Sequence, residues 1–296
     1  MKKLFTTLPL SIFCLFTAFG QMTQMARGTV LEGMTVKSAV LKKDMSYNIY
    51  LPADYFSAQR KYPVVYLLHG MWGNNNDWVH SGEANRTADK AMANGDIPDM
   101  IIVMPDGGNQ WYINSAEGYN YEDYFMKELI PHIDSNYHTR TNRENRGISG
   151  LSMGGYGSIL YCLKYPDRFV ACAALSSGIF TDEETEKSPD ANYDRWFASI
   201  YGKAKGKDRL QLDAWKKNST LGLMAAGKED DLKKIKWYFD CGDDDFLFKG
   251  NAAMHVLMSE RKIPHEFRMR DGAHTWEYWR TGLGDALKFI GQSFKH

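Results

Sequence analysis

The sequence predicts an α/β fold in which a mainly parallel central sheet is flanked by helices on both faces. Three apolar runs, at 63–70, 100–106 and 146–150, have the composition of strands that are buried on both faces. Helical patterns lie between the predicted strands, and such alternation is typical of a parallel sheet. With 296 residues, of which 44% are hydrophobic, the chain can bury a sizeable core within one domain.

Each element has its own signal along the chain. Two β-rich stretches come first and are predicted to form an antiparallel hairpin. The helix at 152–164 is predicted to end there because Pro166 cannot continue it. The predicted strands are 36–41, 47–51, 63–70, 100–106, 146–150, 169–175, 235–240 and 265–269. The predicted helices are 83–93, 121–137, 152–164, 246–261 and 275–294.

Residues 180–235 interrupt this alternation of strands and helices. The segment is polar and rich in charged and small residues, with Trp196, Phe197 and Trp215 interspersed. We interpret it as an insertion between two late strands of the sheet. Two arrangements fit the pattern equally well, namely a cap over the functional site and a surface subdomain with its own small core.

The N-terminal segment has the features of a secretory signal peptide. Two lysines precede an apolar run at 4–19, and small residues stand before a cleavage site after Gly20. The apolar run is too short for a membrane-spanning helix. We therefore expect a signal peptide at 1–20, a linker at 21–35 and one catalytic domain at 36–296. The mature chain is expected to be secreted or periplasmic, without stable membrane insertion.

Composition narrows the classes of partner and cofactor. The 36 basic and 36 acidic residues give no net charge, which argues against binding to nucleic acid or to an anionic membrane. After export the chain would keep Cys162, Cys172 and Cys241, which we interpret as buried thiols because each lies in an apolar stretch. No spacing of cysteines and histidines resembles a zinc site. We expect neither a metal ion nor an organic cofactor.

The segment Gly150-Leu-Ser152-Met-Gly154 is a G-x-S-x-G motif, and it occurs once in the chain. In this motif the serine occupies a strained turn from strand to helix, where the flanking glycines crowd against each other. An apolar strand precedes the motif and a helical run follows it, as the turn requires. The positive end of that helix would face the site. This context predicts an α/β-hydrolase fold with Ser152 as the nucleophile of an acyl-transfer site.

A serine nucleophile needs a base, which in this fold is a histidine that follows the serine and the carboxylate in the chain. His274 lies in the loop after the last predicted strand, and active sites of such sheets lie at the carboxyl ends of strands. It is therefore the predicted base. The other histidines after Ser152 fit less well: His255 is in mid-helix, His265 opens a strand and His296 is the last residue.

The carboxylate that orients the base is expected after the preceding strand, at 235–240. Asp243, Asp244 and Asp245 compete for this role. Asp245 is the first choice and Asp244 the second, and the others are expected to cap the helix that follows. Asp240 lies within the strand, and we interpret it as structural.

An oxyanion hole needs two backbone N–H donors. One is expected from Met153, directly after the nucleophile, and the other from Met71 in the loop after the strand at 63–70. His69 stands at the start of that loop. Since it precedes the serine in the sequence, we expect it to brace the loop and not to act as the base.

Several segments stand in a recognisable order: HGMWGNNNDW, MPDGG, YEDYFMKELIPHID, GLSMGGYGS, CGDDDFL and DGAHTWEYW. Together they resemble the putative-esterase family, which includes feruloyl esterases, acetylxylan esterases, S-formylglutathione hydrolases and mycolyltransferases. The resemblance covers 36–294 and is strongest to secreted bacterial carbohydrate esterases. It implies the same set of site residues, namely Ser152, Asp245 and His274 as the triad and Met71 and Met153 as oxyanion donors.

The expected function is that of a secreted serine esterase. It would hydrolyse carboxylic esters through an acyl-enzyme, with feruloyl or acetyl groups on plant polysaccharide as the expected substrates. Alternatives are an acyltransferase to a sugar hydroxyl, a serine peptidase on the same fold, and a non-catalytic carbohydrate-binding relative. Aromatic side chains in loops after strands could stack on sugars or on a phenolic ring, although packing within a loop fits each of them as well. The candidate substrate-binding residues are Trp72, Trp111, Tyr112 and Trp276.

Overall fold

A computed structural model describes residues 26–295, so the predicted signal peptide at 1–20 lies outside the described residues. Eight strands form one sheet. They are β1 (Thr29–Ser38), β2 (Lys43–Leu51), β3 (Val64–Leu68), β4 (Ile101–Pro105), β5 (Arg146–Leu151), β6 (Ala171–Leu175), β7 (Lys236–Gly242) and β8 (His265–Arg270). Each predicted strand is present, and the predicted fold class is confirmed.

The sheet is parallel apart from one edge. Its strand order is β1-β2-β4-β3-β5-β6-β7-β8. β1 pairs with β2 and β2 with β4 in antiparallel fashion, and all the other neighbours are parallel. The carboxyl ends of β3 to β8 therefore lie at the same edge of the sheet, and the loops that follow these strands meet there.

Helices cover both faces of the sheet. They are α1 (Asp77–His80), α2 (Ala84–Ala93), α3 (Tyr121–Tyr124), a π-helical turn (Phe125–Leu129), α4 (Ile130–Asn136), α5 (Met153–Lys164), α6 (Asp182–Lys187), α7 (Asp190–Trp196), α8 (Ala198–Tyr201), α9 (Asp213–Asn218), α10 (Thr220–Ala226), α11 (Glu229–Lys234), α12 (Phe248–Glu260) and α13 (Trp276–Ser293). Ala88 of α2 and Leu287 of α13 belong to the core on one face. Ile159 of α5 and Met254 of α12 belong to the core on the other. Within the described range, no helix combines the length and the hydropathy needed to span a bilayer.

The N-terminal strand is longer than the sequence predicts. β1 begins at Thr29, so most of it lies in the segment predicted as a linker at 21–35, and that part of the prediction is wrong. The pairing of β1 with β2 shifts register between Leu31 and Met34, and Gly33 within this bulge has a φ of +67°. The bulge interrupts the alternation of side chains, and most of the strand's first residues are exposed or half-buried. A strand of this kind has no clear signature in the sequence.

The three cysteines in the described part of the chain are buried free thiols, as predicted. Burial raises the pKa of the Cys241 thiol to about 12 and also raises that of Cys162. Because the thiolate is the reactive form, both side chains are chemically inert at neutral pH and serve as small apolar residues.

The insertion lies between β6 and β7 and contains α6 to α11. Its buried apolar residues Ile200, Tyr201, Trp215 and Met224 belong to the main core on the α5 side of the sheet, and a polar cluster lies within the insertion itself. The buried guanidinium of Arg209 donates hydrogen bonds to Ser188 O (2.6 Å) and Asp190 Oδ1 (2.6 Å) and stacks on the Tyr193 ring at 4.2 Å. The part of the insertion from Phe180 to Phe197 also reaches the carboxyl edge of the sheet, where the candidate site lies.

Candidate active site

Ser152 occupies a strained turn between β5 and α5. Its φ of +54° and ψ of −119° are unfavourable for a residue other than glycine. Two bonds hold the turn: the Ser152 N–H donates to Leu175 O (2.9 Å), and the Gly178 N–H donates to Ser152 O (2.8 Å). A Cβ atom at Gly154 would lie 2.4 Å from Leu68 O, so this position of the G-x-S-x-G motif accommodates only glycine without movement of the backbone.

His274 lies in the loop between β8 and α13 and bridges Ser152 and Asp245. Its Nε2 atom is 3.0 Å from Ser152 Oγ, and its Nδ1 atom is 2.8 Å from Asp245 Oδ2. Because an ionised carboxylate can only accept, Nδ1 carries the proton and Nε2 is the acceptor for the serine hydroxyl. The imidazole also contacts the rings of Phe246 and Trp279, each at a centroid distance of 4.7 Å. The structure thus brings the predicted serine, histidine and aspartate together in the geometry of a catalytic triad.

Asp245 is buried in the loop after β7, with 1% of its surface exposed. Its Oδ1 atom accepts a hydrogen bond from the Leu247 N–H at 2.9 Å, which leaves Oδ2 for His274. Burial alone would raise the pKa of this carboxyl, but the hydrogen bonds from His274 and Leu247 outweigh it and lower the pKa below its usual value. Asp245 is therefore ionised at neutral pH. Asp244, the second candidate, is exposed.

Asp240 is structural, as predicted. It is fully buried within β7, and its Oδ2 atom accepts from Arg270 Nε at 2.9 Å and from the Tyr238 hydroxyl at 3.1 Å. The Tyr278 hydroxyl donates to the other carboxylate oxygen. These bonds tie β7 to β8 and to α13, and so they fix the two strands whose loops carry Asp245 and His274.

The other histidines after Ser152 do not enter the site. His255 Nδ1 lies 2.8 Å from His265 Nε2, in a pair between α12 and the start of β8. That end of β8 is opposite the edge at which the loops meet, as the sequence predicts for His265. His296 lies outside the described residues.

Two backbone N–H groups beside Ser152 are available to a bound oxyanion. Within residues 26–295, neither the Met71 N–H nor the Met153 N–H has a hydrogen-bond partner. Met153 is the first residue of α5, where an N–H has no acceptor within the helix. The positive end of the helix dipole adds to the attraction for a negative charge at this point. The structure places both predicted donors at the cavity that contains Ser152.

His69 braces the loop that carries Met71, as predicted. The Gly107 N–H donates to His69 Nε2 (2.8 Å), so the proton resides on Nδ1, which donates to Gly70 O (2.7 Å). The Gly73 N–H donates to the same carbonyl at 3.1 Å. In a planar trans peptide the C=O and N–H point in opposite directions. Holding the Gly70 carbonyl on one side therefore leaves the Met71 N–H directed to the other.

Ser152 opens into a cavity of about 510 Å³. This volume lies within the range of about 300–1,000 Å³ that is usual for sites of small organic ligands. Apolar and aromatic side chains dominate its wall, and a few polar groups interrupt it. The apolar members are Met71, Trp72, Trp111, Leu151, Phe180, Trp196, Phe197, Phe246, Leu247, Trp276 and Trp279, and the polar members include Asp77, Ser188 and Asn192.

Three of the four predicted substrate-binding aromatics, Trp72, Trp111 and Trp276, line this cavity. Tyr112 does not, and its prediction is corrected. It is fully buried, and its hydroxyl donates to His69 O at 2.9 Å. Trp111 and Tyr112 have φ values of +51° and +58°, and this turn sends Tyr112 into the core against Gly157 of α5. Through this bond it supports the loop that carries Met71.

The sequence did not identify several residues of the cavity wall. Phe180, Trp196 and Phe197 come from the insertion and cover one side of the cavity. Phe246 covers the His274 ring and is 68% exposed. Two signals were available in the sequence: aromatic residues stand out in an otherwise polar insertion, and Phe246 directly follows Asp245.

One group of carboxylates could in principle hold a cation. In residues 26–295, Asp243, Asp244 and Asp271 place one oxygen each within 4.8 Å of the others, and all three are exposed. Exposed acidic groups of this kind are common on protein surfaces, and none of the three lines the cavity at Ser152.

Comparison with known proteins places this geometry in a family. Residues 38–290 match the family model described as putative esterase. An acetyl esterase of Caldicellulosiruptor saccharolyticus is 28% identical over 86% of this chain and 96% of its own length. An endo-1,4-beta-xylanase/feruloyl esterase of Xylanibacter ruminicola is 35% identical, over 54% of this chain but 23% of that longer protein. A solved ferulic acid esterase superimposes with a TM-score of 0.78 at 32% identity, over 90% of this chain and 99% of that one. The chain therefore belongs to the putative esterase family of α/β-hydrolases, and it is a carboxylic ester hydrolase.

Proposed function

We propose that the chain cleaves esters by nucleophilic catalysis at Ser152, with His274 as the general base and Asp245 as its orienting carboxylate. The observation that carries this proposal is the pair of short contacts on the His274 ring, 3.0 Å to Ser152 Oγ and 2.8 Å to Asp245 Oδ2. The intact set of groups argues against a non-catalytic carbohydrate-binding protein.

In the first half of the reaction, Ser152 Oγ attacks the ester carbonyl carbon while His274 Nε2 takes the hydroxyl proton. The carbonyl oxygen gains the negative charge and accepts hydrogen bonds from the Met71 and Met153 N–H groups. Asp245 stabilises the imidazolium that forms. Collapse of the tetrahedral intermediate breaks the bond to the alcohol oxygen, which receives the proton from His274.

In the second half, a water molecule takes the place of the alcohol. His274 removes a proton from the water as its oxygen attacks the acyl carbon, and the same two N–H groups bind the second oxyanion. The intermediate then releases the carboxylic acid, and the proton returns to Ser152 Oγ. The enzyme ends in its initial protonation state. The groups that contact the substrate line the cavity, and Asp245 acts from behind His274.

The shape of the cavity favours an aromatic acyl group such as ferulate. Its volume of about 510 Å³ is far larger than an acetyl group needs, and most of the apolar side chains in its wall are aromatic. At its mouth, Trp72 is 67% exposed and packs edge to face against Trp196 with centroids 4.8 Å apart. Exposed aromatic faces suit the apolar faces of sugar rings. We therefore propose feruloyl esters of plant polysaccharide as the substrate, cleaved by a secreted or periplasmic enzyme.

An acetyl ester of a polysaccharide is the second candidate. It is favoured by the similarity to the acetyl esterase, which extends over 86% of this chain. In that case the polymer itself would occupy much of the cavity, and the aromatic wall would contact sugar rings rather than a phenolic ring.

The test compares the wild type, Ser152→Ala and Ser57→Ala on p-nitrophenyl acetate, methyl ferulate and acetylated xylan. Ser57 is the control because it is exposed and its hydroxyl bonds only to Asp54 O within the described chain. We expect Ser152→Ala to lose activity on every substrate and Ser57→Ala to keep it, with methyl ferulate giving the highest kcat/KM. Full activity of Ser152→Ala would overturn the proposal.

The relative rates also identify the substrate and the acceptor. A higher kcat/KM for acetylated xylan than for methyl ferulate would favour the acetyl ester. Adding a sugar acceptor to the assay separates hydrolysis from transfer, because a transferase would form a sugar ester in place of the free acid.

A further inference from the structure

The residue that follows the proposed oxyanion donor Met71 has an unfavourable backbone conformation. Trp72 has a φ of +62°, in the left-handed region that residues with a Cβ atom rarely adopt. Its indole is mostly exposed, so burial of the side chain does not account for this conformation. Such a conformation persists only where the surrounding structure holds it, and strained residues of this kind cluster at functional sites.

Asn109 supplies a contact that holds the Trp72 backbone. Its Oδ1 atom accepts a hydrogen bond from the Trp72 N–H at 2.6 Å. Asn109 lies in the loop after β4, so the bond joins two neighbouring loops at the carboxyl edge of the sheet. Asn109 lies two residues after Gly107, whose N–H fixes the tautomer of His69. The loop after β4 thus bonds to His69 before Met71 and to Trp72 after it.

Met71 lies between two peptide units, and each is held by a separate bond. The unit before it is fixed through Gly70 O, which accepts from His69 Nδ1 and from the Gly73 N–H. The unit after it is fixed through the bond from the Trp72 N–H to Asn109. Only the φ and ψ angles of Met71 lie between these two planes. The Met71 N–H belongs to the first unit, whose plane can still rotate about its flanking bonds. The anchor at the Trp72 N–H restrains the Met71 Cα atom and so limits this rotation, and the Met71 N–H itself has no partner within residues 26–295.

We propose that Asn109 is a positioning residue for the oxyanion hole: it anchors the peptide after Met71 and so restrains the preceding peptide, whose Met71 N–H is directed at the developing oxyanion. This inference rests on the proposed function, in which Met71 and Met153 bind that oxyanion. Asn109 does not touch the reacting atoms. It acts through the Trp72 backbone, and its contribution belongs to the transition state more than to substrate binding.

The test uses Asn109→Ala, Asn109→Asp and Asn74→Ala, with p-nitrophenyl acetate as substrate. Asn109→Asp keeps an acceptor of the same shape, and all assays are run in 1 M NaCl so that the added charge is screened. Asn74 is the matched control, because its side chain also accepts a backbone N–H bond on an exposed loop, from Asn76 at 2.9 Å. Both asparagines are exposed, so neither alanine leaves a buried cavity.

We expect Asn109→Ala to lower kcat about tenfold with little change in KM, a factor that corresponds to one typical hydrogen bond. Loss of an entire oxyanion donor would be larger, about 10²–10³ in kcat. Affinity for an aryl trifluoromethyl ketone, whose adduct with the serine carries an oxyanion, should fall by a similar factor. Asn109→Asp should restore most of both quantities, and Asn74→Ala should match the wild type.

The inference is overturned if Asn109→Ala keeps the wild-type kcat and ketone affinity, or if it raises KM alone, as a role in the cavity rim would. It is also overturned if Asn109→Asp is as impaired as Asn109→Ala. Thermal unfolding of each variant checks that the fold is intact. Failure of the proposed function gives a different result, since Ser152→Ala would then remain active whatever Asn109→Ala does.

Discussion

Replacement of Gly154 by alanine tests the geometry of the nucleophile turn most directly. A Cβ atom at this position would lie 2.4 Å from Leu68 O and 2.6 Å from His69 O, whereas ordinary contacts begin at 3.4 Å. Both oxygens belong to the backbone at the end of β3, so no side chain can rotate to make room. The added Cβ atom would be about 1 Å too close to Leu68 O. Either the start of α5 or the loop that carries Met71 must therefore move by about this distance.

This displacement should impair both stability and activity. Overpacking of a core typically costs about 1–3 kcal/mol in the free energy of unfolding. For a chain of this size that corresponds to a fall of roughly 2–10 °C in Tm. A misplacement of about 1 Å between reacting groups can cost about 10²-fold in rate. We therefore expect Gly154→Ala to fold with a lower Tm and to lose about two orders of magnitude in kcat/KM for p-nitrophenyl acetate.

Gly284 offers a matched control in the middle of α13. The nearest atom to an added Cβ there is Thr87 Cγ2 at 3.8 Å, so alanine fits without strain. Because alanine is the better helix former, Gly284→Ala should keep full activity and raise the free energy of unfolding by up to about 1 kcal/mol. Thermal unfolding and steady-state kinetics on the two variants give the comparison. Wild-type kcat/KM and Tm for Gly154→Ala would refute the steric reasoning.

Further predictions concern three charged side chains. Asp245→Asn should lower kcat by about 10⁴ because the histidine loses its oriented tautomer, whereas Asp244→Asn should leave kcat unchanged in the same assay. Because the pKa of Asp245 is lower in the folded state than its usual value of 3.8, the ionised carboxylate stabilises the fold fully at pH values above 3.8. This contribution is lost as the pH falls through the lower folded-state pKa. The Tm difference between the wild type and Asp245→Asn should therefore shrink below that pH. Asp240→Ala removes the buried partner of Arg270 and should cost about 3 kcal/mol in urea unfolding. Arg209→Met should loosen the insertion, visible as faster proteolysis there, while a rate of cleavage equal to the wild type would contradict its structural role.

The sequence predicted the chemical groups of the site because each has a local signal tied to chain order. Ser152 is marked by its glycines, and His274 is marked by its place after the last strand. The choice between Asp244 and Asp245 could not be settled from spacing alone, since adjacent residues in a loop point in different directions. The structure places Asp245, and not Asp244, against the histidine, because the Leu247 N–H and the imidazole together hold that carboxylate in a buried position.

The wrong prediction for Tyr112 shows which feature of the site could not be inferred from the sequence. Trp111 and Tyr112 both follow β4 and both are aromatic, so the pattern treats them alike. They differ because both residues adopt positive φ values, and the turn directs their side chains to different places. In a sequence, glycine is the residue type that indicates a positive φ, so this turn could not be predicted. One ring therefore lines the cavity, and the other supports the carbonyl of His69. The contact of Asn109 was not predicted for a similar reason, because its hydrogen bond from the Trp72 N–H depends on the conformation of two separate loops.

The insertion contributes to the cavity wall, but its buried apolar residues join the main core instead of forming a separate one. Helix α7 shows how a polar cluster within the insertion supports that wall. Asn192 and Trp196, four residues apart, lie on one side of the helix and line the cavity. Tyr193 lies on another side, where it is buried beneath the guanidinium of Arg209. The polar cluster around Arg209 holds the helix in place, and the helix contributes two residues to the cavity wall. A change in the polar cluster of the insertion should therefore alter substrate selectivity even though Arg209 itself does not line the cavity at Ser152.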